Sequence, residues 1–104
     1  MRIGCVVPFC KRTRGDRKGD PVRAGMEWIC AQHWRHVSKA TKRRKRLAER
    51  IEARAMRRFE ATYRAQGNRY TGLQWTVVVR ARELAGRAWT RCKTEAIEAS
   101  AGIG

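Results

Sequence analysis

The fold of this chain is decided by residues 42–63, which read KRRKRLAERIEARAMRRFEATY. Two tracks with four-residue spacing run through this stretch, and residues four apart are neighbours on the surface of an α-helix. The cationic track contains Lys42, Arg46, Arg50, Arg54 and Arg58, and the apolar track contains Leu47, Ile51, Ala55, Phe59 and Tyr63. The pattern predicts a helix whose apolar track docks on its own protein and whose cationic track faces a polyanion.

The cationic track lacks compensating acids. No Asp or Glu lies four residues before or after Arg46, Arg50, Arg54 or Arg58, and cations at this spacing repel each other by about 0.3 kcal/mol per pair. Phosphate groups would relieve this repulsion, so we expect a set of eight basic side chains to contact nucleic acid. The set is Lys42, Arg43, Arg44, Arg46, Arg50, Arg54, Arg57 and Arg58. The alternative interpretation of residues 42–46 is a solvated charge block or a targeting patch.

The charge of the whole chain indicates the same class of partner. The 104 residues carry a net charge of +16, and 19 of the 25 basic residues are Arg. Residues 39–66 alone contain eleven basic and three acidic residues. Such a field attracts DNA, RNA or anionic lipid at long range. A high-GC coding bias toward Arg and Ala is an alternative source of the arginines, but it does not account for so few acids.

Four residues in the first third of the chain have the spacing of a metal site. Cys5 and Cys10 flank a short turn, and Cys30 and His33 form a second close pair. Two tight pairs separated by a linker supply four ligands for tetrahedral zinc, in a treble-clef-like layout. We predict a Zn²⁺ site made by these four residues, with His36 as the rival to His33. A disulfide framework is the competing interpretation, but it suits secreted chains, and the N-terminus lacks the apolar segment of a signal peptide.

The metal motif has a recognisable form, Cys5-x-x-Pro8-x-Cys10 followed by Cys30-x-x-His33 and a strongly basic helix. It resembles the small N-terminal zinc module of phage and prophage HNH-type endonucleases. The resemblance covers residues 3–34 well and residues 69–92 only loosely. It implies that the two ligand pairs of the motif, Cys5 with Cys10 and Cys30 with His33, bind zinc and that the helix after His33 lies on DNA.

The resemblance does not extend to catalysis. The HNH nuclease needs a His as general base beside a metal-binding His or Asp and an Asn. This chain has no His after residue 36, and Cys92 has no second Cys to form the nuclease's own zinc pair. We therefore expect DNA binding without cleavage.

A second helix is expected after a turn at residues 67–72. Apolar residues recur at intervals of three and four, at Leu73, Val77, Ala81, Leu84, Ala88 and Cys92. This spacing predicts an amphipathic helix over 73–98 that packs antiparallel on the first helix. A strand over residues 75–80 is the alternative, because consecutive valines favour strands. We expect Trp75 and Trp89 in this core or at its edge, and Cys92 as a buried thiol.

Together these elements predict a mainly α fold, with a small zinc-binding, treble-clef-like N-terminal module followed by an antiparallel two-helix hairpin. The expected divisions are a zinc module at 1–38, a basic amphipathic helix at 39–66, a turn at 67–72, a second amphipathic helix at 73–98 and a flexible tail at 99–104. The basic helix is either continuous from about residue 29 or preceded by a short break near 38–40.

The leading functional hypothesis is a non-enzymatic, zinc-containing DNA-binding accessory or regulatory factor of the small phage type. RNA is the alternative nucleic acid, because Arg-rich helices fit RNA grooves too. An inhibitor or regulator that binds an acidic surface of a host protein is the third hypothesis, and a degenerate HNH-type nuclease is the fourth. No apolar run approaches the roughly 18 residues needed to span a membrane, so we expect a cytoplasmic protein without a membrane partner. The sequence leaves the oligomeric state open.

Overall fold

A computed structural model of the chain describes residues 1–67 and 72–102. The elements in chain order are β1 (Ile3–Gly4), β2 (Thr13–Arg14), α1 (Ala31–Trp34), α2 (Lys39–Ala65) and α3 (Gly72–Ser100). This arrangement confirms the predicted fold class, mainly helical with a small N-terminal module. None of the described helices is both long enough and apolar enough to cross a bilayer.

The chain divides into two compact units. The first comprises Met1–Ser38 together with Cys92–Gly104, and the second comprises Lys39–Arg91. Helix α3 therefore contributes its last turns to the unit that contains the N-terminus. The sequence-based division ended the first module at residue 38 and did not anticipate this C-terminal contribution.

The first unit is built around a short antiparallel ribbon, in which Ile3 pairs with Arg14 and Gly4 with Thr13. Its buried apolar residues come from both parts of the chain: Val7, Val22, Ile29, Cys30, Val37, Cys92 and Ala96. Two polar contacts also join the parts. The Lys93 ammonium lies 3.0 Å from the Glu27 carboxylate, and the Ser38 backbone N–H donates to a Glu95 carboxylate oxygen at 2.9 Å. Cys92 is fully buried, as predicted.

A buried arginine organises the cationic loop after β2. The Arg14 side chain is nearly inaccessible, and its guanidinium bonds both the backbone carbonyl and the carboxylate of Asp20, the latter at 3.0 Å. It also contacts the Met26 sulfur at 3.7 Å. The Asp16 carboxylate accepts a hydrogen bond from the Val22 backbone N–H at 2.8 Å. These contacts fold the polar loop into a defined shape between the two halves of the metal motif.

The second unit is an antiparallel helical hairpin with a seven-residue register. The Phe59 ring packs against Trp75, with ring centroids 5.3 Å apart and ring planes tilted by 58°. Glu52, seven residues before Phe59, lies 4.0 Å from Arg82, which is seven residues after Trp75. A further step places the Lys45 ammonium 5.9 Å from the centroid of Trp89. Seven-residue spacing keeps one seam of a helix facing its partner over several turns, as in a coiled coil.

The seam itself is made of small residues. Ala55, Val78 and Ala81 form the buried cluster, and Met56, Phe59 and Trp75 pack against it. Small side chains let helix backbones approach closely. Trp75 and Trp89 are half-buried at this core, as expected.

The expectation that the whole apolar track of α2 docks on its own protein is wrong at one end. Leu47 is 51% exposed and Ile51 39% exposed, whereas Ala55 is buried. The reason is geometric, because each four-residue step rotates a track by about 40° around the helix. Seven residues make almost two full turns, so the buried positions Thr41, Ala48 and Ala55 keep to the seam.

Several boundaries of the helices also differ from expectation. Helix α1 ends at Trp34 and α2 begins at Lys39, so the two helices are separate and the break lies at 35–38. Helix α3 extends beyond the expected 98 to Ser100, and residues 75–80 are helical rather than a strand. Gly67, with a φ of 66°, ends α2 in the conformation that glycine favours. Residues 68–71 of the expected turn, the side chain of Leu73, and residues 103–104 of the expected tail lie outside the described residues.

Candidate metal centre and basic helix face

The first pair of metal-ligand candidates lies on a tight turn. The Cys10 backbone N–H donates to the Val7 carbonyl at 3.2 Å, closing a four-residue turn with Pro8 at its second position. The turn is tied to the rest of the unit, because the Cys5 N–H donates to the Arg12 carbonyl at 3.0 Å and the Val6 N–H donates to the Trp28 carbonyl at 2.9 Å. Both sulfurs are thus held on a rigid segment.

The second pair lies where α1 begins. Cys30 is the residue before the helix, and its carbonyl accepts hydrogen bonds from the N–H groups of His33 and Trp34 at 3.1 and 2.8 Å. Three residues on, the His33 ring lies on the same side, because residues three apart are neighbours on a helix.

The structure brings the four predicted ligands together. The ligand atoms of Cys5, Cys10, Cys30 and His33 all lie within 4.8 Å of one another. The Cys30 Sγ to His33 Nδ1 distance is 3.1 Å, Cys5 Sγ to His33 Nδ1 is 3.6 Å, and Cys10 Sγ to Cys30 Sγ is 4.0 Å. Zinc bonds of about 2.3 Å to sulfur and 2.0 Å to nitrogen place tetrahedral ligands about 3.5–3.8 Å apart. The cluster could therefore hold a metal ion.

The thiols of the cluster are electrostatically distinct. All are free cysteines, which leaves the disulfide interpretation unsupported. Burial raises the pKa of the Cys5 thiol. Burial also acts to raise the pKa of Cys30, but hydrogen bonds from the His33 backbone N–H and from the Cys5 and Cys10 thiols outweigh it, and the net direction is downward. The Cys30 N–H donates to Cys5 Sγ at 3.3 Å, a contact that orients the sulfur and would stabilise its thiolate.

His36 is not part of the cluster. It lines a separate surface depression with Glu95, Glu98 and Ala99. Among residues 1–67 and 72–102, the cluster with His33 is the only group of three or more Cys, His, Asp or Glu side chains placed to hold a metal. Of the two histidines considered from the sequence, the structure places His33 with the cysteines.

The predicted nucleic-acid residues form an exposed face of α2. Arg43, Arg44, Arg46, Arg50, Arg54, Arg57 and Arg58 are exposed, and Lys42 is half-buried. On a helix these seven arginines fall within an arc of about 160°, and the buried Thr41, Ala48 and Ala55 fall outside it. The nearby Lys45 and Arg64 do pair with acids, Glu49 and Glu60 respectively. None of the seven arginines has an ion-pair partner in the part of the chain that the structure describes.

The sequence reasoning missed an apolar groove on the hairpin. Exposed Leu47, Ile51, Val77 and Leu84 line two adjoining depressions that share Ile51. Arginines stand at the edges of both: Arg44, Arg54, Arg58, Arg87 and Arg91. The groove could have been predicted from helix geometry. Residues spaced by four rotate around the helix, so Leu47 lies away from the seam that buries Ala55.

It also missed Phe9, at the third position of the turn between the first two ligands. Phe9 has a φ of 68° and is fully exposed. Such a backbone is strained for a residue with a side chain, by about 1 kcal/mol or more. The positive φ of Phe9 could have been predicted from its position directly after Pro8, since the residue after proline in a type II turn takes a positive φ.

Comparison of the chain with protein-family models, with curated proteins and with solved structures gives no match.

Proposed function

We propose that this chain is a non-enzymatic, zinc-containing protein that binds nucleic acid, DNA in preference to RNA. The observation that carries the proposal is the set of seven exposed arginines on α2 that lack ion-pair partners among the described residues. A helix that concentrates uncompensated guanidinium groups on one side has phosphate as its natural counter-charge.

Zinc is the metal we propose for the Cys5, Cys10, Cys30 and His33 cluster. Three thiolates and one imidazole are a donor set typical of structural zinc. Four protein ligands complete a tetrahedron and leave no open position for a water or a substrate. The metal would therefore act as a cross-link between the Cys5–Cys10 turn and the start of α1.

The dimensions of α2 fit duplex DNA. Its 27 residues make a rod of about 40 Å, slightly longer than one turn of B-DNA, which is about 34 Å. The B-form major groove admits an α-helix, whereas the A-form major groove of RNA is too deep and narrow for side chains to read. We therefore favour DNA, with the arginines on phosphates.

The motif similarity supports the same proposal. The Cys-x-x-Pro-x-Cys and Cys-x-x-His pairs, followed by a basic helix, are similar to the zinc module of phage HNH-type endonucleases, and a small phage-type accessory or regulatory factor fits that similarity. The HNH catalytic residues have no counterpart here, since no His follows residue 36. We propose binding without cleavage for that reason.

The decisive experiment measures affinity for a 20-base-pair duplex as a function of salt, by fluorescence anisotropy, with RNA of equal length as competitor. Contact with six to ten phosphates predicts a loss of affinity of about 10³–10⁵-fold between 50 and 200 mM salt. The test variant combines Arg43→Gln, Arg50→Gln and Arg57→Gln, which should lower the slope of log K against log salt by about 0.9 per lost contact. The matched control combines Arg17→Gln, Arg23→Gln and Arg80→Gln, which removes equal charge from exposed sites elsewhere. Equal slopes for the two variants, or no binding at 50 mM salt, would contradict the proposal.

A second candidate function is regulation of a protein partner, and the groove on the hairpin favours it. Its floor is apolar, through Leu47, Ile51, Val77 and Leu84, and its edges are cationic. The occupant with complementary chemistry is an amphipathic helix whose polar face is acidic. A second copy of this chain fits less well, because residues 39–66 of each copy bring eleven basic and three acidic residues to the contact.

This candidate is tested with a synthetic acidic amphipathic peptide of about 20 residues, about 30 Å as a helix. Labelled protein is titrated and followed by NMR. The groove model requires chemical-shift changes centred on Ile51 and Leu84 and a weaker response in Leu84→Ser. A scrambled peptide of the same composition is the control. If the scrambled peptide binds as tightly as the amphipathic one, the attraction is by charge alone and the groove is not a docking site.

A further inference from the structure

Phe9 occupies a position whose backbone demands a different residue. Val7, Pro8, Phe9 and Cys10 form a turn closed by the Cys10 N–H to Val7 carbonyl hydrogen bond of 3.2 Å. Pro8 stands at the second position and Phe9, with a φ of 68°, at the third. This is the type II arrangement, whose third position is normally glycine or asparagine because other side chains are strained there.

Packing does not explain the phenylalanine. The ring is fully exposed, while the neighbouring Val7 is the residue of this turn that enters the buried core. The structure gives Phe9 no ring contact within the residues it describes. Glycine would make the same turn without the backbone strain and without an exposed apolar ring. The aromatic side chain therefore brings the folded unit no evident stabilisation.

The surroundings of the ring indicate what it could bind. The turn lies between the candidate ligands Cys5 and Cys10, so a metal bound there would hold the base of the ring in place. Lys11 and Arg12 follow immediately and are exposed. An exposed aromatic ring with adjacent cations is the combination that proteins use for single-stranded nucleic acid, where the ring stacks on a base and the cations contact the backbone.

We infer that Phe9 is a stacking platform for an unpaired nucleobase. This inference rests on the proposed nucleic-acid function and adds a substrate class to it: strands that offer a base outside the duplex stack, such as a bulge, a fork or a single strand. The arginine face of α2 would contribute affinity that is independent of the sequence and strandedness of the nucleic acid. Phe9 would contribute the preference for an unstacked base. A protein pocket for the ring is the competing explanation and is an outcome of the test.

The test uses the full chain loaded with zinc and two DNA hairpins, one fully paired and one with a single bulged 2-aminopurine. Wild-type protein should bind the bulged hairpin about 5- to 150-fold more tightly, the range expected from one stacked base, and should change the 2-aminopurine fluorescence. Phe9→Gly and Phe9→Leu should lose this preference yet bind the paired hairpin as the wild type does. Phe9→Tyr, which keeps an aromatic face, should retain it.

Thermal unfolding of the same variants separates a binding role from a structural one. Phe9→Gly removes the strain, so its midpoint should equal or exceed that of the wild type. A lowered midpoint would show that the ring supports the fold and would overturn the inference. Equal wild-type affinity for the two hairpins would also overturn it, leaving the proposed function intact and a protein pocket as the ring's partner. Absence of binding to either hairpin would contradict the proposed function itself.

Discussion

Cys30 combines three structural roles in one residue. Its carbonyl accepts the first hydrogen bonds of α1, its N–H donates to Cys5 Sγ, and its own Sγ lies 3.1 Å from His33 Nδ1. It is also almost completely buried. The ligand identity could be predicted from sequence spacing alone, but the backbone contact to Cys5 could not, because it joins residues 25 apart.

Substitution of the ligands should therefore remove the metal. Cys30→Ser is expected to abolish stoichiometric zinc binding, since it replaces a thiolate with a poor ligand at the most buried of the four positions. Structural zinc contributes about 10 kcal/mol or more of apparent binding free energy in small domains, so the first unit should lose its cooperative unfolding. Zinc content by mass spectrometry and unfolding by circular dichroism are the measurements.

His36→Ala is the matched control for His33→Ala. His36 lies outside the cluster, so its variant should bind one zinc per chain, the stoichiometry that we propose for the wild type. Loss of zinc in His36→Ala together with retention in His33→Ala would assign the fourth ligand to His36 and contradict the geometry.

Arg14 is the second residue whose role is visible only in three dimensions. Its side chain is 3% exposed, whereas that of its partner Asp20 is 56% exposed. We expect Arg14→Ala to destabilise the protein by about 2–3 kcal/mol, because Asp20 loses its partner and the cationic loop loses its anchor. Asp20→Asn should cost less than about 1 kcal/mol, because its backbone carbonyl still accepts from Arg14 and the carboxylate is solvated. Urea unfolding of the two variants gives the comparison, and equal losses would show that the loop is not anchored by Arg14.

At the level of elements, the two long helices were predictable and their contact was not. Apolar residues at intervals of three and four indicated α3, but all six were treated as one stripe, although two of them, Val77 and Leu84, are exposed. Which members of a stripe are buried depends on the partner helix. The register that pairs Phe59 with Trp75 selects Val78 and Ala81 for the seam, and that information is tertiary.

Adjacent valines on α3 provide a direct test of this register. Val78 is fully buried and Val77 is 53% exposed. Val78→Ala should lower the free energy of unfolding by about 2 kcal/mol through lost burial and a residual cavity. Val77→Ala should change it by less than about 0.5 kcal/mol. Urea denaturation of the two variants is the measurement, and a larger loss in Val77→Ala would place the seam on the other face.

At the scale of the whole molecule, the last turns of α3 belong with the N-terminal unit. Cys92 and Ala96 are completely buried, and Lys93 and Glu95 bond to residues of the first 38. No spacing or motif in the sequence links these positions to the candidate metal centre, since the contact joins residues 66 apart.

Truncation tests this assignment. A chain ending at residue 91 should bind zinc more weakly than the full chain, because the first unit loses its buried Cys92 and Ala96. A chain ending at residue 100 retains those residues and serves as the control. Zinc affinity measured by competition with a chromogenic chelator distinguishes them, and equal affinities would show that the first 38 residues are sufficient for the site.

The sharing of α3 has a consequence for how the protein is made. A ribosome releases residues 1–38 early, yet the unit they form also includes Cys92–Gly104, which are synthesised only after the hairpin. The hairpin, whose residues are consecutive from Lys39 to Arg91, can assemble while the chain is still growing. The segment with the candidate metal ligands must wait for residues 92–104, and until then its thiols are accessible to oxidation and to other metal ions. The segment that leaves the ribosome first should therefore fold after the hairpin that follows it.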